Sequence, residues 1–503
     1  MAEDIVKTRK SGGSNLARAT IRGVVWNYVS QFSGKFLVFI STIILAWLLT
    51  KSDFGIVGYA LVVFNFLDIL SDLGVGVALI YYRDEPKATQ TAFWLGLGIS
   101  LILAIAMWSL APWIGQLLAL NNEDGFDQQL VINLTRALSI IFPLESLRNV
   151  HSALLQKELA FSRKFIPDLA RSMSKGLISI VFALLGFGAW SLVLGQIGGV
   201  IVSVFFFWRV MPWRPSFYFS PGMARPLLSY GSSMVAVSLL GTAIRNVDYL
   251  LIGPYLGAAA LGVYTLAFRL PEFLILQTCT LIGKVIFPAY SKIRENEGSL
   301  SRAFLTTMSY VSMLTVPLGL GMALVAGPLI RTVFPDRWVE AIPVTRAIAI
   351  YALCLSLTYN IGDVYKAQGR PSVLTRLSLV NLVVLLPALW WAVAIAGDIT
   401  VVAWTQTIVS LGYMALNFFV ASRMLDVPVR KIIEALLPAL MAGMMMAVTV
   451  SSALLVLSQG PSLLQLIGSV ITGALTYTAS LWWLQQDLVL QASHTLRAAL
   501  VRR

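Results

Sequence analysis

Apolar runs of roughly 20 residues or more, separated by short polar breaks, repeat along the whole chain. They predict spans near 24–49, 54–81, 91–119, 128–156, 165–185, 190–211, 226–253, 262–290, 303–326, 341–368, 373–396, 400–422, 432–457 and 462–484. A helix of that length crosses a hydrocarbon core of about 30 Å. Several runs exceed the minimum, which allows tilt but sets no angle. The period-two alternation of an outer-membrane barrel is absent, so helices are the expected spanning element. The pattern therefore predicts an all-α polytopic membrane protein of about 14 transmembrane helices.

Composition agrees. With 57% hydrophobic and 12% charged residues in 503, the chain holds more apolar surface than a soluble core buries. Its net charge of +13 is explained by where the charges fall rather than by a nucleic-acid partner. If the N-terminus is inside, the cytoplasmic segments hold 25 basic residues and the external ones only Lys51, Arg331 and Arg337. The external break at 121–127 is purely acidic. That asymmetry places both termini in the cytoplasm and requires an even number of spans. Residues 1–23 read as a polar, basic cytoplasmic tail ahead of an uncleaved first span. Two cysteines, Cys279 and Cys354, and two histidines, His151 and His494, leave little material for a disulfide framework, a metal site or histidine catalysis. No Walker A motif is present, and the longest break, 212–225, is too short for a soluble catalytic domain.

The stretch 48–66, LLTKSDFGIVGYALVVFNF, aligns with 255–273, YLGAAALGVYTLAFRLPEF, at a constant offset of 207. Gly55 matches Gly262, and Ala60 matches Ala267. Both copies sit at the external turn between the first two spans of a half. Six spans per half give two lobes of the same orientation, related by an axis along the membrane normal. The expected organisation is a tail (1–23), an N-lobe (24–211), a cytoplasmic linker (212–225), a C-lobe (226–422), and two further spans with a tail (423–503).

Nine basic residues fall inside spans: Lys35, Arg136, Arg148, Arg171, Lys175, Arg245, Arg269, Lys284 and Arg346. Seven acids accompany them: Asp68, Asp72, Glu145, Asp168, Asp248, Glu272 and Asp363. A charge at a helix centre costs about 2.5–3.5 kcal/mol, so these side chains should face a polar cavity or one another. Glu145 with Arg148, Asp168 with Arg171, Arg245 with Asp248, and Arg269 with Glu272 stand at i, i+3 on one helix face. Each pair reads either as local neutralisation or as part of a site. Lys35, Arg136, Lys175 and Lys284 have no acid at helical spacing. A mid-membrane cavity holding several of these cations would attract phosphate or pyrophosphate. The candidate substrate-binding residues are Lys35, Arg136, Arg148, Lys175, Arg245, Arg269 and Lys284. Asp68 and Asp72, one turn apart, and Asp248 and Glu272 are candidates either for ion coupling or for ion pairing.

Four stretches resemble one family: SDLGVGVALIYYRDE (71–85), LLQKELAFSRKF with GFGAWSLVLGQ (154–196), RNVDYLLIGPYLGAAALGVYTLAFRLPE (245–272) and YKAQGRPSV (365–373). In order and spacing they resemble the polysaccharide transport family, the Wzx-type oligosaccharide flippases of the multidrug/oligosaccharidyl-lipid/polysaccharide exporter superfamily. The resemblance implies two six-helix lobes around a cationic cavity, with spans 13 and 14 appended. It also implies a bacterial inner-membrane flippase that moves an undecaprenyl-pyrophosphate-linked oligosaccharide by alternating access, for exopolysaccharide, capsule or O-antigen-type synthesis. Membrane lipids and the polymerase or export machinery would be its partners. No cofactor is expected, and proton and sodium both stay open as coupling ions. The alternatives are a drug/cation antiporter of the same fold, which would favour acids in its cavity, and a membrane glycosyltransferase or polymerase, which needs a large external loop or a metal-binding acidic motif.

Overall fold

In a lipid core only a helix satisfies its own backbone along a single segment, and the chain follows that constraint. A computed structural model describes residues 32–72, 86–119, 127–158, 160–293 and 297–486. The tail 1–23, most of the 71–85 motif, most of the 121–127 break and the end of the chain from 487 lie outside the described residues. The described residues form fourteen long helices and no strand, matching the expected fold class. They are α1 (Phe32–Leu48), α2 (Lys51–Asp72), α3 (Pro86–Ala119), α4 (Gln128–Lys157), α5 (Phe161–Leu184) and α6 (Ala189–Val210). The run Pro221–Pro271 breaks at Gly257, giving α7 (221–256) and α8 (258–293). Then follow α9 (Glu297–Val333), α10 (Ala341–Ala367), α11 (Pro371–Ala396), α12 (Ile399–Leu425), α13 (Val429–Val456) and α14 (Ser462–Leu484).

Eleven helical runs among the described residues are long and apolar enough to cross a membrane. The difference from fourteen has three sources. The described part of α1 is short, α7 and α8 join in one run, and α5 is too charged. Arg163, Lys164, Asp168, Arg171 and Lys175 crowd onto α5. That exception marks where the polar chemistry is concentrated.

The chain divides into two compact units, Met1–Gly262 and Val263–Arg503. In the first, α5 and α6 form a hairpin closed by Gly186 and Gly188, both with positive φ. Phe64 of α2 stacks on Phe142 of α4 at 4.6 Å. The proline-containing segment after α6 is held down by specific bonds: Trp94 Nε1 donates to the Ser216 carbonyl (2.8 Å), and the Ser216 N–H donates to Gln90 Oε1 (2.7 Å). His151, fully buried, sits 3.2 Å from the carbonyls of both Leu147 and Trp213 and stacks on Trp208.

The two repeat copies make equivalent turns by different means. Thr50 caps α2: its hydroxyl accepts from the Asp53 N–H (3.2 Å), and Asp53 Oδ2 accepts from the Thr50 N–H (2.8 Å). This is a reciprocal cap. At the position 207 residues later, Gly257 turns the chain with φ 85° and ψ 171°, a conformation open essentially to glycine alone. The external turn expected between spans 7 and 8 is thereby reduced to one residue. Apolar sequence on both sides hid it. Beyond the turn, α2 crosses the first turn of α8 with backbones in direct contact. A Cβ on Gly55 would meet the Ala258 carbonyl, and a Cβ on Gly262 would meet the Lys51 carbonyl. Lys51 and Ala258 are themselves one offset apart, so the crossing is self-complementary.

In the second unit α9 is the central helix. Phe304, Tyr290, Tyr365 and Tyr477 are buried in its core. Ser309 on α9 donates to the Ala435 carbonyl of α13 (3.0 Å), and the Tyr477 hydroxyl of α14 donates to the Met313 carbonyl (2.9 Å). The last two helices therefore pack on α9.

Gly55→Ala should lower stability by about 1–3 kcal/mol through overpacking against backbone. Gly98→Ala, at a position with open space around it, should leave stability unchanged or raise it slightly. Thermal unfolding of both variants in detergent checks the contrast.

Candidate functional site

Three helices of the first unit carry polar residues at helical spacing. On α2 these are Asn65, Asp68 and Ser71; on α4, Glu145, Arg148, Asn149, Ser152 and Gln156; on α5, Lys164, Asp168, Arg171 and Lys175. Spacings of three, four and seven residues put each set on one stripe. Helix α4 bends where its two segments, Gln128–Ser139 and Ile141–Lys157, meet, and Pro143 lies one turn later. Glu145 follows directly. Helix α5 lies close against α6 because Gly195 and Gly199 present no side chain to the backbone of Arg171 and Lys175.

The stripes enclose a cavity of about 470 Å³ whose lining is mainly polar. Its charged wall is organised by one carboxylate. Glu145, 6% exposed, takes Arg148 on Oε2 (Nη2 at 2.6 Å, Nε at 2.7 Å) and Arg171 on Oε1 (2.5 Å). Asp168 lies 4.0 Å from Arg148 Nη1, and the Arg148 guanidinium stands 5.6 Å from the centre of the Phe207 ring. Each oxygen of the buried acid thus holds a different cation. The i, i+3 spacing expects Arg171 to pair with Asp168. Its short contact is instead across to α4, because the facing helix offers a fully desolvated acceptor while Asp168 remains partly exposed.

Asp68 also lines the cavity and accepts from the Ser71 hydroxyl (2.9 Å). Arg148 and Asp68 are thus the expected site residues that the structure brings together. The others stand elsewhere. Lys35 is exposed on α1, and Lys175 is half-buried on α5 beyond Arg171. Arg136 lies on the first segment of α4 over the Trp108 ring at 5.1 Å. On α7, Arg245 donates to Thr242 Oγ1 (3.4 Å), while the buried Asp248 accepts from the Tyr249 N–H (2.9 Å). Arg269 and Glu272 form the expected local pair at 3.4 Å, in the second unit. The side chains of Lys284 and Asp72 lie outside the described residues.

Asn65, Asn149, Gln156, Lys164 and Gln196 also line the cavity; four are uncharged and Lys164 lies just outside the predicted span 165–185, so charge within spans does not point to them. The stripe spacing on α2 and α4 was the available signal for the first three. Gln196 on α6 stands among apolar and small residues and carries no such signal.

Comparison with known proteins fits this architecture. A family model described as "Polysaccharide biosynthesis protein" matches residues 44–343. The chain belongs to that family. Among family relatives it is 25% identical to the lipopolysaccharide biosynthesis protein WzxC of Escherichia coli (strain K12), over 77% of this chain and 78% of that one. It is 25% identical to the teichuronic acid biosynthesis protein TuaB of Bacillus subtilis (strain 168), over 92% and 95%. It is 24% identical to the succinoglycan biosynthesis transport protein ExoT of Rhizobium meliloti (strain 1021), over 96% of both. Two solved structures share the fold. The lipid II flippase MurJ in an inward closed conformation aligns with a TM-score of 0.72 at 15% identity, over 92% of this chain and all of that one. An inward-facing multidrug resistance MATE transporter of the MOP superfamily aligns at 0.66 and 18%, over 80% and 96%. The family, the all-helical multi-pass fold and the transporter class expected from the sequence are all met by these findings.

Glu145→Ala would leave two partly buried guanidinium groups without the carboxylate they share, Arg148 keeping Asp168 at 4.0 Å, and should cost about 3–5 kcal/mol. Adding Arg171→Met to that variant should restore part of the loss. Chemical unfolding of the single and double variants in detergent gives the comparison.

Proposed function

We propose that the chain is a flippase that carries an undecaprenyl-pyrophosphate-linked oligosaccharide across the bacterial inner membrane by alternating access, in the assembly of an exopolysaccharide, capsule or O-antigen-type polymer. The observation that carries this reading is the polar cavity among otherwise apolar helices. Charges are retained inside a membrane protein where a polar solute or ion uses them. The three relatives are named for three different polymers, so the likeness bears on the class of product and not on its sugars.

In this proposal the pyrophosphate head is drawn to cations placed within the spans: Lys35, Arg136, Lys175, Arg245, Arg269 and Lys284. Arg supplies a planar fork for phosphate oxygens and Lys a point charge. The lobes are 24–211 and 226–422, joined by the linker 212–225, with both termini in the cytoplasm. Asp68, Asp72, Asp248 and Glu272 are the acids available to couple transport to an ion. A polymerase or export complex would take the cargo on the far side.

Proteoliposomes loaded with a fluorescent lipid-linked oligosaccharide test the reading. The wild-type chain should make the inner-leaflet pool accessible to an external quencher. Lys35→Ala, Lys175→Ala and Arg245→Ala should each slow that exposure by tenfold or more while the protein stays in the membrane. Unchanged rates in all three would remove the head-group assignment. Dye efflux by the wild type in a pump-deficient host, without lipid flipping, would transfer the chain to the antiporter class.

A further inference from the structure

The groups left unengaged in the cavity of the first unit are amides, not cations. Arg148 and Arg171 are both held by Glu145 at 2.5–2.6 Å. Among the described residues, the side chains of Asn65, Gln156 and Gln196 line the cavity and make no hydrogen bond within the chain. Gln196 is the most informative. Its Oε1 is buried and has no donor. A buried amide oxygen without a partner is uncommon in a native protein, and in a polar cavity it is a place where a ligand's donor would be accommodated.

The chemistry of these groups selects among ligands. A lipid-linked pyrophosphate diester is fully ionised at neutral pH and presents acceptor oxygens only, so it can satisfy the Gln196 amide through Nε2 but supplies no donor to Oε1. A sugar hydroxyl donates and accepts at once and satisfies an amide from either side. The volume of about 470 Å³ lies within the range of pockets that take small organic ligands. The Glu145 network adds a fixed polar wall in which both guanidinium groups are already engaged by a carboxylate.

We infer that this cavity is a glycan subsite, in which Gln196 with Asn65 and Gln156 binds sugar hydroxyls of the cargo while the pyrophosphate is bound elsewhere. The inference rests on the flippase reading and assigns the sugar portion of that cargo to the first unit. It makes Gln196 a specificity residue that responds to the sugar and not to the head group.

The test uses the purified full chain in detergent and two probes: the oligosaccharide released by mild acid from the host's own lipid-linked pool, and inorganic pyrophosphate. Titration calorimetry should show saturable binding of the oligosaccharide to the wild type, weakened tenfold or more by Gln196→Leu, with pyrophosphate binding unchanged. Asn65→Ala, at an exposed position where the fold does not depend on the side chain, should weaken the oligosaccharide alone by a smaller factor. Arg245→Ala should show the reverse selectivity. Equal oligosaccharide binding by the wild type, Gln196→Leu and Asn65→Ala, no oligosaccharide binding at all, or loss of pyrophosphate binding in Gln196→Leu would each overturn the subsite. Wild-type flipping in proteoliposomes is scored separately. Flipping without a Gln196 effect refutes the subsite alone, and absence of flipping refutes the transport reading.

Discussion

The first unit depends on the neutralisation of charge by Glu145. Helix α5 carries five charged side chains and would be a poor membrane segment alone. It is accommodated because a buried carboxylate on α4 takes one guanidinium on each oxygen and so fixes the rotation of α4 against α5. With that register set, Asn149, Ser152 and Gln156 of α4 and Lys164 of α5 face the same volume. Ion pairs of this kind add little net stability compared with apolar packing, but they are costly to break. Their effect is to specify which faces meet, and the cavity is the consequence.

A second constraint acts through close backbone approach. Gly55 and Gly262 occupy equivalent repeat positions, and each leaves room for a carbonyl of the other helix. The turns ahead of them, at Thr50 and Gly257, are equivalent in place and different in chemistry. One uses a side-chain cap and the other a backbone conformation available to glycine. A repeat can thus retain its geometry after its sequence has diverged, provided that the contact needing a small residue keeps one.

These particulars show what was legible in the chain. The fourteen helices were, because each must present about 20 apolar residues, and so was the pairing of Arg269 with Glu272. The break at Gly257 was not, since hydropathy is blind to a turn with apolar residues on both sides. Spacing puts Arg171 on one face with Asp168, yet its short contact is to Glu145. Spacing reports which residues share a face, whereas the choice of partner depends on the facing helix. Gln196 was invisible for a related reason: a single neutral amide on an apolar helix acquires meaning only when its surroundings are known.

The same distinction bears on how one carrier handles a cargo with two chemistries. A lipid-linked oligosaccharide joins an anionic head to an uncharged, hydroxyl-rich chain, and a single site suited to both would compromise each. Free cations would hold the head, but around sugar hydroxyls they would attract competing anions. Amides would suit the sugar and leave pyrophosphate poorly compensated. In the first unit two potential anion-binding guanidinium groups are occupied by Glu145, while Gln196 Oε1 remains without a donor. Occupation of the guanidinium groups and the polar lining of the cavity are therefore linked: the carboxylate that makes α5 tolerable in the membrane also engages the two arginines that line the cavity it creates.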